Sequence, residues 1–189
     1  MVSGGDPNGL PQRLRAYGPH QFVVRCVADD LARPAWELHK SLLAIPRRGN
    51  GNLLRDIRNN PSRFASDGRP AFAVFDGDQL PELLSRPRGT CRTALKADLL
   101  KDCAWAGQLH VVILERNLES LLRAVLQCAP EAADERTRAL ALDRKSLAER
   151  DVILNRVARE ARRNVRDCVR QAMPSFDYLI RKLVEACRG

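Results

Sequence analysis

Apolar positions along the chain keep two rhythms, short β-favouring blocks and longer stretches with helical spacing. The first block, QFVVRCVADD at residues 21–30, predicts a strand. An amphipathic helix is predicted over 33–44, with Pro34 suited to its first turn and Ala35, Leu38, Leu42 and Ile45 at helical spacing. Residues 47–70 are rich in Gly, Asn and Pro and read as loop, with a short helical piece at 53–58. GNGN, at 49–52, is also read as loop, because no strand precedes it and no GK[ST] follows. A second strand, AFAVFD, opens at Ala71, and a Pro-rich loop leads to a helix over 90–103. LHVVILER at 109–116 predicts a third strand, followed directly by a helix over 118–128. Strands alternating with helices of about a dozen residues imply βαβ units and a parallel sheet, hence an α/β fold. The tail reads as a long helix over 146–173 and a shorter one over 175–187, broken at Pro174.

This pattern divides the chain into a flexible start (1–20), an α/β core (21–130) and a C-terminal helical extension (131–189) packing on that core. A length of 189 residues is enough to bury a sizeable core. The start has no apolar signal-like run, and no apolar stretch approaches the ~20 residues of a membrane span. The six cysteines stand at long irregular spacings without a CxxC pair. These spacings argue for neither a zinc site nor a disulfide framework, and most of the six sit within apolar patterns, where a free cysteine packs as a small hydrophobe, which suits a reducing cytoplasm. Oligomeric state is not encoded in any visible pattern.

Net charge is +9, and the last 54 residues, with 14 Lys/Arg against 7 Asp/Glu, carry most of it. Arg156, Arg159, Arg163, Arg166 and Arg170 recur every three or four residues on the long predicted helix. Ile153, Val157, Ala161, Val165, Cys168 and Ala172 form the opposite, docking stripe. Such a guanidinium row suits a nucleic-acid phosphate backbone, and it equally suits the charged face that any exposed helix needs. Lys145, just before the helix, is a further candidate phosphate contact.

Asp76 and Asp78 follow the second strand with one glycine between them. In a parallel sheet, ligands bind outside the carboxyl ends of the strands, so two carboxylates there suit a shared Mg²⁺ or Mn²⁺. A plain Asp-Gly turn with a solvated aspartate fits the same residues. Asp29 and Asp30 follow the first predicted strand, one suited to capping the next helix and the other to metal contact. Glu115 and Glu119 flank Asn117 at a predicted helix start, as dipole partners or as further acids at the same crevice.

In this order the elements over 22–126 resemble the Toprim superfamily, the metal-binding α/β domain of topoisomerases, primases and overcoming-lysogenisation-type nucleases. The closest likeness is to small bacterial Toprim-like proteins associated with an ATPase partner in defence. MPSFDYLIRKLVEA, at 173–186, is similar to their closing helix. The resemblance implies metal-assisted phosphodiester chemistry. Asp76, Asp78 and Asp29 would hold the metal, and Asp30 and Glu119 would act beside the position of a catalytic glutamate. That position is Ala28, which can neither move a proton nor bind a metal. The departure leaves three explanations: a catalytically degenerate module that binds nucleic acid or a protein, substitution by Asp29 or Asp30, or a native glutamate replaced by alanine.

Overall fold

The computed structural model describes residues 18–42, 44–45, 47, 49–59, 70–101, 103, 109–115, 118–129 and 162–188. The chain divides into two compact units, Met1–Ile45 with Val125–Cys168 and Pro46–Ala124 with Val169–Gly189. Among the described residues there are eight helices and one two-stranded parallel sheet, an α/β arrangement.

In the first unit the expected first strand is a helix, α1 (Gly18–Leu31). Phe22, Val24, Cys26, Val27 and Ala28 are all buried, so the apolar contact wraps much of the helix circumference. The helical cost of a valine is only about 0.5 kcal/mol, whereas burying such a side chain contributes roughly 1.5–3 kcal/mol. Burial therefore overrides the local β preference that the FVV run displays. Ala32 ends the helix in a left-handed conformation (φ 51°), and the Arg33 N–H donates back to the Ala28 carbonyl at 3.1 Å. The following helix, α2 (Ala35–Ser41), is shorter than its apolar spacing suggests. Trp36 on it is exposed.

His39 on α2 is half-buried and faces His20 on α1, with ring centroids 5.5 Å apart. Burial, reinforced by His39, lowers the His20 pKa from 6.5 to about 4. The unfolded chain therefore takes up this proton first. His20 contributes stability that is fully present above pH 6.5 and is lost as pH falls towards 4, by about 3 kcal/mol in total. Denaturant unfolding of the wild type and His20→Gln between pH 7 and pH 4 should show a steeper acid loss for the wild type. Parallel profiles would contradict this.

The second unit holds α3 (Asn50–Asn59), β1 (Ala71–Phe75), α4 (Leu80–Leu83), α5 (Arg92–Leu100) and β2 (Leu109–Ile113). β1 and β2 pair in parallel, with Ala71 opposite Leu109 and Phe75 opposite Ile113. Alternation along the strands sends Ala73, Phe75, Leu109, Val111 and Ile113 into a core completed by Leu54 and Ile57 of α3, Leu80 of α4, and Leu95 and Leu99 of α5. The last helix packs against β2, where Val112 is also buried. Phe72 and His110 stack side by side across the strands, ring centroids 4.8 Å apart.

Three more helices complete the description: α6 (Leu118–Cys128), α7 (Arg163–Ala172) and α8 (Pro174–Arg188). Cys128 of α6 and Cys168 of α7 form a disulfide, with Cα atoms 5.8 Å apart, a pairing that their irregular spacing in the sequence did not suggest. Cys26, Cys91, Cys103 and Cys187 are not disulfide-bonded. No described helix is long and apolar enough to cross a membrane.

Candidate functional site

β1 ends at Phe75, and Gly77, Asp78 and Gln79 form a turn. The two aspartates therefore do not continue an extended strand, which was the geometry that would have pointed both side chains the same way. Asp76 is half-buried at the strand end, and Asp78 is exposed on the turn.

Two contacts fix this turn. Asn50, itself buried, accepts from the Asp76 N–H through Oδ1 at 3.0 Å, and its Nδ2 donates to the Asp76 carbonyl at 2.7 Å. One side chain thus imitates a neighbouring strand for one residue. The turn also runs hard against the end of β2, where the Leu114 N–H donates to the Phe75 carbonyl at 2.9 Å. A Cβ on Gly77 would lie 2.1 Å from the Leu114 carbonyl oxygen, so only glycine permits this approach.

Glu115 brings a third acid to the same edge. Its N–H donates to Ser175 Oγ of α8 at 3.1 Å, and its carboxylate lies 3.9 Å from Arg92 at the start of α5. The carboxyl edge of the parallel pair thus collects Asp76, Asp78 and Glu115, where a parallel sheet ordinarily binds ligands. Among the described residues, no three His, Cys, Asp or Glu side chains gather as a ready metal cage. Mg²⁺ does not require one, because it is commonly held by one or two carboxylates, with water and substrate phosphate completing its shell. Asp76 and Asp78 offer hard oxygen donors of the kind that mode uses, each from its own place on the turn. The Asn50 amide is committed to the Asp76 backbone.

Asn50 was not legible in sequence. GNGN reads as loop, whereas Gly49 (φ 92°) is followed by helix α3, whose first residue is Asn50. The one available signal was Gly-Asn immediately before an apolar helical pattern, a helix-start signature. Its partner stands 26 residues away. Replacing Asn50 with alanine should cost about 2 kcal/mol, because the Asp76 N–H and carbonyl lose both bonds in a part-buried place. Thermal unfolding measures the loss, and an unchanged midpoint would contradict the clamp.

The other predicted site residues lie elsewhere in the chain. Ala28, Asp29 and Asp30 belong to the last turns of α1, not to a strand end. Asp29 accepts a two-bond fork from Arg166, Nε at 2.5 Å and Nη2 at 3.0 Å, and so serves an ion pair. Glu119 lies in the first turn of α6, and its side chain is outside the described residues, as are Arg156, Arg159 and Lys145.

The arginine row is not a continuous exposed face. Val165, Arg166 and Val169 are buried on α7, whereas Cys168 and Ala172 of the expected docking stripe are exposed. Arg170 donates to Asp177 at 2.7 Å, and Arg163 is exposed near Asp167 at 3.8 Å. Partners on the protein thus engage each of the three described arginines. Heptad-like spacing located the row but could not assign its inner side.

Comparison with protein-family models, with curated proteins and with solved structures finds no match for this chain.

Proposed function

We propose that the chain is a binding module that engages phosphate groups of nucleic acid through Mg²⁺ or Mn²⁺ held at Asp76 and Asp78, without cleaving the strand. The observation that carries this reading is the acid turn at the carboxyl edge of the β1–β2 pair, pinned by Asn50 and by the close approach at Gly77. A bound Mg²⁺ would supply positive charge between carboxylates and phosphate oxygens. The protein's part is to hold the two carboxylates on a fixed backbone. Catalysis is disfavoured because Ala28 and Asp30, which the Toprim resemblance nominates near the proton-transfer position, are helical residues of α1. The Toprim-like reading is kept for β1, its acid turn, α5 and β2.

A second reading, a Toprim-like metal-dependent nuclease controlled by an ATPase partner, is favoured by one observation. Glu115 follows β2 beside the acid turn and would offer the proton-transfer group that Ala28 lacks.

Fluorescence anisotropy with single- and double-stranded oligonucleotides, with Mg²⁺ and with EDTA, tests the first reading. Mg²⁺ should tighten binding, and Asp76→Asn/Asp78→Asn should remove at least about tenfold of that gain, about 1.4 kcal/mol. Equal binding in EDTA, or a double variant that retains the full gain, would overturn it. Plasmid cleavage that disappears with Asp76→Asn/Asp78→Asn and with Glu115→Gln would establish the nuclease instead.

A further inference from the structure

The second unit contains a cavity of about 380 Å³ among α3, α4 and α5, within the range of small-molecule sites. Arg58, Arg86, Lys101, Asp98 and Ser85 line its polar side, over an apolar floor that includes Leu54. Arg86 makes a two-bond fork with Asp98, Nε to Oδ2 and Nη2 to Oδ1, both at 2.8 Å. That fork fixes the guanidinium plane and leaves its remaining N–H groups for another anion. Asp98 is the one carboxylate on the cavity wall, against three cations. Hydrogen bonding to Arg86 holds Asp98 below its ordinary pKa, so it stays ionised and the pairing persists at neutral pH.

Arg58 stands in the last turn of α3, and Lys101 caps the end of α5, where helix dipoles favour cations. That explains each cation singly. It does not explain why both, with an oriented Arg86, meet on one concavity. Ser85 on the same wall holds a left-handed backbone conformation (φ 52°) that ends α4, with the Arg86 N–H donating back to the Pro81 carbonyl at 2.8 Å.

We propose that this cavity is a binding site for a small phosphate-bearing molecule of the diphosphate class, such as pyrophosphate or a nucleoside diphosphate. Arg58, Arg86 and Lys101 give the wall three cations against the single carboxylate of Asp98, Arg86 supplies directed donors, and the Leu54 side would face the nucleoside of a nucleoside diphosphate. The three cations share one open depression of about 380 Å³, a size that suits a compact ligand. This site is separate from the acid turn and does not rest on it.

Calorimetric titration of the full chain with pyrophosphate and with ADP, in EDTA so that no divalent ion bridges the contact, tests the site. Saturable binding is expected, weakened at least about tenfold by Arg58→Ala/Lys101→Ala, or about 1.4 kcal/mol. Arg188→Ala, which removes an exposed charge elsewhere, should leave affinity within about twofold. Both target side chains are exposed, so the variants should melt with the wild type. If the double variant melts early, Arg58→Gln and Lys101→Gln tested singly give the same reading. Absence of saturable binding to either probe, wild-type affinity in the substituted proteins, or displacement of ADP by a short oligonucleotide at lower concentration than by pyrophosphate would overturn the proposal.

Discussion

Replacing Gly77 with alanine is expected to destabilise the sheet unit by roughly 3–5 kcal/mol, at the severe end for single substitutions. A methyl group there would sit 2.1 Å from the Leu114 carbonyl oxygen, closer than any real non-bonded contact. The obstacle is backbone, so no rotamer change relieves it. Either the turn lifts away from β2 and breaks the Leu114 to Phe75 hydrogen bond, or the Asn50 clamp on Asp76 opens. Both routes displace Asp76 and Asp78, so the Mg²⁺-dependent oligonucleotide binding proposed for this turn should vanish together with the stability. Denaturant unfolding and anisotropy on the same variant check the two effects. An alanine variant with wild-type stability would mean that the close approach at Gly77 does not exist in solution.

The second large effect is expected for Ala28→Glu, the change that the Toprim resemblance would treat as restorative. Ala28 is 7% exposed on a helix whose neighbours Val24 and Val27 are fully buried. A glutamate there must either bury a carboxylate or distort the helix packing, and an uncompensated buried charge costs about 4 kcal/mol. The melting midpoint should fall by about 10 °C for a protein of this size, with no gain of nuclease activity. A stable Ala28→Glu protein that cleaves plasmid would restore the strand-end interpretation of this segment. Alanine at this position has a physical reason in the helix itself, which a replaced glutamate is not needed to explain.

Much of the sheet unit was legible residue by residue. The AFAVFD and LHVVILER blocks hold the strands Ala71–Phe75 and Leu109–Ile113, each ending short of its predicted polar end, and the helix predicted over 118–128 has those bounds. In these segments local preference and tertiary burial agree. They disagree at FVVRCV, where valines read as strand but the segment is helical with Phe22, Val24, Cys26 and Val27 all buried. They also diverge on α7, where Arg166 was expected on an exposed row and is instead buried against Asp29. A guanidinium goes inside when a carboxylate from another helix meets it, and no window of sequence contains that carboxylate.

The sequence alone therefore determined the strand, helix, strand order of the sheet unit and the acid pair at the end of β1. Those features follow from side-chain periodicity and from residues adjacent in the chain. Tertiary structure decided the helical state of α1, the Asn50 clamp, the burial of Arg166 and the Cys128–Cys168 bond. The clamp joins residues 26 apart, the ion pair residues 137 apart and the disulfide residues 40 apart. Burial depends on the same kind of distant contact, and local spacing does not specify which distant groups will meet.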